Sequence, residues 1–198
     1  TLYRADETAH WGTTAIGTQL LLRNPLVQSS GGNGGAINLE ATHGDISVGN
    51  IRSLSETANG GRIDLNANKD IISGLINSSS VQGNGGAIDL VAGGDITTQY
   101  LDSGSYSREG NSGNGGAIDL DAGGDITTQY LNSLSYSSSG NSGNGGQITL
   151  NAKTIKFNPP EYENAEKLTI NTFSLGQNES GEGKGGDVNI TTNNLSNT

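Results

Sequence analysis

The sequence predicts an all-β chain, a parallel β-helix or β-solenoid with three short strands per coil and about six to seven coils. Three observations predict it: a long internal repeat, period-two apolar alternation after each glycine pair, and like residues recurring in columns. Residues 85–114 and 115–144 both read GGAIDLxAGGDITTQYLxSxSYSxxGNSGN and agree at 25 of 30 positions. A period of this size marks stacked supersecondary units, each burying its apolar residues only against its neighbours.

Glycine pairs start units near residues 34, 60, 85, 115, 145 and 185, at spacings of 26, 25, 30, 30 and 40. Variable length with a constant motif places the extra residues in loops. After each pair, AINL, RIDL, AIDL, AIDL, QITL and DVNI set Ile37, Ile63, Ile88, Ile118, Ile148 and Val188 in one column. Leu39, Leu65, Leu90, Leu120, Leu150 and Ile190 stand two residues on. Period two is the strand signature, with one face apolar and the other bearing Asn38, Asp64, Asp89, Asp119, Thr149 and Asn189. Small residues at Ala41, Ala67, Ala92, Ala122 and Ala152 then fit a tight interior corner.

A second strand opens at Asp45, Asp70, Asp95 and Asp125, each before an isoleucine, and Ile155 with Phe157 takes that place in the fifth unit. A third is headed by Ile51, Ile76, Leu101 and Leu131. It carries Ser53, Ser78, Ser103 and Ser133, then Ser55, Ser80, Ser105 and Ser135, on the inward side. Buried hydroxyls require hydrogen bonds along the stack or to backbone. In the fifth unit the same pattern resumes at Ile170 after a loop insertion at about 157–168, where Pro159 and Pro160 cannot continue a ladder. Residues 1–30 form a lead-in degenerate coil and residues 31–198 the repeat domain. At about 4.8 Å per coil the stack measures on the order of 30 Å.

Composition narrows function mainly by exclusion. With glycine at 32 of 198 residues and apolar residues at 31%, the chain would drift towards disorder if its Ile and Leu were scattered, and they are in register. A net charge of -10 disfavours nucleic acid and anionic membrane surfaces as partners. No apolar run is long enough for a membrane-spanning helix. The start TLYRADETAHWG is not a signal peptide, and the absence of methionine reads as a processed or excised piece of something longer. Absence of cysteine removes disulfides and thiolate metal sites, and suits passage of an unfolded chain through a pore.

Candidate sites are few, and no catalytic residue or cofactor is expected. The column Asp45, Asp70, Asp95 and Asp125 could hold calcium between coils, since hard oxygen ligands suit that ion. The stronger expectation is that each carboxylate accepts backbone hydrogen bonds in its turn. Asp64, Asp89 and Asp119 could act as paired acid and base on a polysaccharide. Against an enzyme, the same residue returns every turn with no basic partner in register. Tyr100, Tyr106, Tyr130 and Tyr136 occur only in the twin units and form a possible interaction surface for a sugar or a protein. Thr97, Thr98, Thr127 and Thr128 resemble the threonine ladders of ice-binding solenoids, but their column fades in the other units. His10, His43 and Trp11 are isolated, and the sequons at Asn77, Asn178, Asn189 and Asn194 are what an Asn- and Ser-rich chain produces by chance.

The motif GNGGAIDLxAGGDITTxxLxSxS resembles the repeats of filamentous-haemagglutinin-like exoproteins, particularly the large cyanobacterial ones secreted by the two-partner route. The resemblance covers roughly residues 31–198. It implies a right-handed coil, an outer-membrane secretion partner, and display at or release from a Gram-negative cell surface. It also implies a structural or adhesive shaft that contacts a glycan or surface receptor. Residues of the family's N-terminal secretion domain are not found, so the piece reads as shaft. The alternatives are a self-assembling extracellular filament whose end coils stack on the next copy, and a carbohydrate-binding or polysaccharide-active β-helix. The last would use a groove beside FNPPEYENAEKL or the GNSGNGG turns.

Overall fold

A computed structural model describes residues 13–17, 20–22, 26–29, 32–158, 170–176 and 183–197. Among them every regular element is a β-strand, and no helix is long and apolar enough to cross a membrane. Strands are numbered in chain order. One ladder joins β1 (Thr13–Gly17), β4 (Ile37–Ala41), β7 (Ile63–Ala67), β10 (Ile88–Ala92), β14 (Ile118–Ala122) and the first half of β18 (Ile148–Phe157). A second joins β2 (Leu20–Leu22), β5 (Ile46–Val48), β8 (Ile71–Ile72), β11 (Ile96–Thr97), β15 (Ile126–Thr128) and the second half of β18.

The third side holds β3 (Leu26–Ser29), β6 (Ile51–Ser55), β9 (Ile76–Asn77), β12 (Tyr100–Asp102), β16 (Tyr130–Asn132) and β19 (Ile170–Asn171). A short extra sheet continues it through β13 (Ser105–Ser107), β17 (Ser135–Ser137) and β20 (Ser174–Leu175). The last strand, β21 (Val188–Asn197), lies along the whole of β18. All these pairings are parallel, and the sheets wrap into a nearly closed solenoid-like arrangement.

Register follows the sequence columns. Ile37, Ile63, Ile88, Ile118, Ile148 and Val188 are successive partners, as are Ile46, Ile71, Ile96, Ile126, Ile155 and Leu195. The isoleucines among them are fully buried and, with the leucine columns, make one continuous core. Each such side chain contributes about 1.5–3 kcal/mol by leaving water. Large branched residues supply this because a coil interior is filled from three sides and leaves little space. The alanine column sits buried at the corner, as its size requires.

Two details differ from the three-strand expectation. The third strand is broken in the twin and fifth units, where Ser103 with Gly104, Ser133 with Leu134, and Thr172 with Phe173 separate two short strands, and in the second unit it ends at Asn77 with only a bridge at Ser80 beyond. In the fifth unit the first two strands fuse into β18, because Lys153 and Thr154 stand where other units have the turn-forming glycine pair Gly93–Gly94 or Gly123–Gly124. Phe157 belongs to this strand and pairs with Thr128, and register resumes at Ile170 opposite Leu131. Residues 159–169, most of the expected insertion, lie outside the described residues.

The inward serines bond to backbone. Ser53 Oγ donates to Gly35 O at 2.5 Å, and Ser78, Ser103 and Ser133 donate in the same way to Gly61, Gly86 and Gly116. Each serine carbonyl in turn accepts the N–H of the second glycine in the pair that opens the next unit: Gly61 to Ser53 at 2.9 Å, Gly86 to Ser78 at 2.8 Å, and Gly116 to Ser103 at 2.7 Å. One serine thus grips two successive glycines. The second serine column repeats the pattern, from Ser80 to Ala58 O at 2.6 Å and from Ser105 to Gly83 O at 2.6 Å.

This grip explains why the second residue of each pair must be glycine. A Cβ on Gly116 would lie 2.5 Å from Gly86 O and 2.6 Å from Gly85 O, closer than carbon and oxygen approach. Gly110, by contrast, has a φ of 80° and nothing within 4 Å of an added Cβ. Gly116→Ala is expected to destabilise the chain by about 3 kcal/mol through overpacking, and Gly110→Ala by about 1 kcal/mol through left-handed backbone strain alone. Urea unfolding of the two variants measures the difference; equal losses would show that the close approach does not matter.

Candidate functional site

The aspartate column is a hydrogen-bonded ladder. Asp45 Oδ1 accepts the backbone N–H of Asp70 at 3.2 Å, Asp70 Oδ1 that of Asp95 at 2.8 Å, and Asp95 Oδ1 that of Asp125 at 2.8 Å. The acceptor is therefore used one coil on, where an Asx turn would keep it within its own turn. Lys156 Nζ reaches Asp125 Oδ2 at 3.3 Å, a partly exposed pair worth little. Among the described residues no group of three or more His, Cys, Asp or Glu is placed to share a metal ion.

An asparagine ladder runs beside it. Asn33, Asn59, Asn84, Asn114 and Asn144 precede the glycine pairs, and each Oδ1 accepts the N–H one unit on, at 2.8–3.1 Å, ending at Lys184. Sequence reasoning missed it, although the recurrence of NGG in five of six units was the signal.

The outward carboxylates do have a basic neighbour, contrary to the in-register expectation. Arg62 Nε lies 2.6 Å from Asp64 Oδ1, and its Nη2 lies 3.2 Å from Asp89 Oδ2. Arg62 stands two residues before Asp64 on the same outward face, in a column that otherwise holds Ala36, Ala87, Ala117, Gln147 and Asp187, and its long side chain reaches the next coil. Asp89 is still raised above the ordinary carboxylate range, first by burial and then by Asp64, with Arg62 opposing both. The threonine pairs divide: Thr98 and Thr128 turn inward and are buried, so the outward face shows one threonine per coil. His43 is exposed and bonded to Thr42 Oγ1 at 2.9 Å, while His10, Trp11 and Asn178 lie outside the described residues.

The most distinctive constellation lies on the third side, where the strand breaks. Tyr100 and Tyr130 stack with ring centroids 4.9 Å apart and planes 9° from parallel. Beside them the column Asn77, Asp102, Asn132, Asn171 places one carboxylate among three amides. Asp102 is only 6% exposed. Its Oδ1 accepts from Gly104 N at 3.0 Å, from Tyr106 O–H at 2.9 Å and from Asn132 Nδ2 at 3.0 Å. Asn132 Nδ2 also donates to the Tyr106 hydroxyl, and Asn171 Nδ2 to Tyr130 at 3.2 Å. Three of the four tyrosines singled out from sequence thus converge; Tyr136 is the ladder partner of Tyr106 and does not join the cluster.

Two of the five differences between the twins make this corner. Gly104 leaves room for the Tyr106 ring, which an added Cβ would meet at 2.8 Å. In the next unit Leu134 fills that place and is buried. Asn132 in place of a second aspartate avoids carboxylate over carboxylate and supplies a donor to Asp102. The signal was therefore present in the pairs 102/132 and 104/134, but only contact across the coils gives it meaning.

Burial drives the Asp102 carboxyl up from its ordinary value, more strongly than the bonds from Gly104, Tyr106 and Asn132 pull it down. The Tyr106 and Tyr100 phenols are likewise pushed up, by burial first and by Asp102 second. A raised carboxyl binds its proton more tightly folded than unfolded, so its contribution to stability falls as pH rises from the unfolded carboxylate range through the folded value. Asp102→Asn, which completes the asparagine column, is expected to raise stability at pH 7 by about 1–2 kcal/mol by removing a buried charge. The gain should vanish below the carboxylate range. Denaturant melts at acid and neutral pH check it, and a variant less stable than wild type at pH 7 would show that the carboxylate is a net stabiliser.

Compared with protein-family models, with curated protein sequences and with solved structures, the chain matches none.

Proposed function

We propose that the chain is a shaft segment of a secreted or surface-displayed exoprotein, a right-handed β-helix of about six to seven coils that spaces and presents surfaces. The observation that carries this reading is the sameness of the inter-coil bonds. Serine grips glycine, asparagine accepts from the next asparagine, and aspartate accepts from the next aspartate in unit after unit. Cohesion is spread along one axis, as in a quasi-one-dimensional repeat protein. Catalysis instead calls for a group unlike its neighbours; the serine, asparagine and aspartate ladders are uniform, and Asp102, which departs from its column, is enclosed by Tyr106 and Asn132. Export through an outer-membrane partner belongs to this reading, and the absence of cysteine is compatible with it.

Asn114 and Asn144 make equivalent bonds ahead of equivalent glycine pairs, so residues 115–144 can be removed with the ladder rejoined. The shortened chain is expected to keep its β-sheet circular dichroism and its surface display, and to be shorter by about one coil spacing of 4.8 Å. Loss of display with the fold intact would count against the shaft.

A self-assembling filament is the second reading, favoured by one observation. Val188, Ile190 and Leu195 are 42%, 37% and 55% exposed in β21, although they continue the buried columns of Ile148, Leu150 and Ile155. A second copy stacked on β21 would cover them, as a further coil of a longer chain also would. Negative-stain images of the isolated chain should then show end-to-end polymers that Ile190→Lys disperses; a monomer at high concentration removes this reading.

A further inference from the structure

The broken third side carries a further inference, which rests on the display reading and gives it a ligand. The Tyr106 hydroxyl is held by an acceptor and a donor at once: it donates to Asp102 Oδ1 at 2.9 Å and accepts from Asn132 Nδ2. A carboxylate and an amide gripping one hydroxyl from both sides is how proteins hold an alcohol, which is donor and acceptor together. Here the alcohol is supplied by the chain itself.

The grip is not fully used. Among the described residues the hydrogen bonds to Asp102 all land on Oδ1, leaving Oδ2 without one. Asn132 is 2% exposed, and its Oδ1 has no partner. A buried acceptor without a donor costs free energy that a hydrogen-bonding ligand would recover. Of the two, Asn132 Oδ1 is the fully enclosed one; Asp102 Oδ2 on the adjacent coil is a second acceptor, so the corner can take more than one hydroxyl. Tyr100 and Tyr130, half-buried and stacked face to face, stand beside them as an apolar wall.

We infer that this corner is a subsite for a neutral saccharide ring, whose hydroxyls displace that of Tyr106 from Asp102 and Asn132. Gly104 lets the Tyr106 ring lie over the site, and the same lack of a side chain leaves space beneath the ring when it swings away. Vicinal hydroxyls with an apolar ring face match the donors and surface required. A uronic acid or a sulfated sugar does not, because Asp102 and the net charge of -10 oppose an anion.

The test is affinity electrophoresis of the whole chain through native gels containing dextran, mannan, galactan or laminarin, with alginate as the anionic control. At least one neutral polymer is expected to retard the protein. Tyr106→Phe, which removes the competing hydroxyl, should be retarded several-fold more strongly. Asp102→Asn keeps the shape and loses the charge-assisted acceptor, and should bind roughly tenfold more weakly. Absence of retardation of both wild type and Tyr106→Phe on every neutral polymer overturns the inference. So does binding undiminished by Asp102→Asn, binding not strengthened by Tyr106→Phe, or equal retardation on alginate. The shaft reading is judged separately, by fold and display of the chain lacking residues 115–144, and survives a failure here.

Discussion

The contact between an inward serine and two successive glycines sets the terms for the rest of the molecule. Ser103 shows why: its hydroxyl donates to Gly86 O, and its carbonyl accepts the N–H of Gly116 at 2.7 Å. The third side of one coil is thereby tied to the corner from which the next coil starts. Glycine is required because the coils approach so closely there, and serine because a buried carbonyl beside the core needs a compact donor. Given that closure, the isoleucine and leucine columns have only to fill the enclosed space.

Polar columns then do outside what serine does inside. Asn84 and Asn114, Asp70 and Asp95 use a side-chain oxygen to accept the N–H one unit on, so the turn backbone is satisfied without water. A ladder of asparagines carries no electrostatic penalty, whereas stacked carboxylates repel. The aspartate ladder stays at the partly exposed corner, where solvent screens that repulsion. Asp102 departs from this division of labour, since it is a carboxylate in an otherwise asparagine column and nearly buried. The protein tolerates it because Tyr106, Gly104 and Asn132 together supply donors, and the raised carboxyl records that they do not offset its burial in full.

The twin units make plain what near identity conceals. Of their five differences, Asp102 against Asn132 and Gly104 against Leu134 meet across one coil boundary and change together in volume and in charge. The first unit contributes a carboxylate and a space for an aromatic ring, while the second contributes an amide donor and a leucine that closes the equivalent space. At this one corner two of the differences act on the same side chains.

Stacking repeats one local structure along an axis, so each residue's environment is set mainly by the residue one period away. The sequence by itself could therefore determine the isoleucine, leucine, alanine and serine columns, the inward face of Ser103 and Ser133, and the resumption of register at Ile170. Where a contact leaves the column, periodicity is silent. Only the tertiary structure decided that Arg62 bridges Asp64 and Asp89, because a long side chain reaches from its own coil to the next and its column repeats no second arginine. The surroundings of Asp102 were decided there too, since Tyr106 of its own coil and Asn132 of the next converge on its Oδ1.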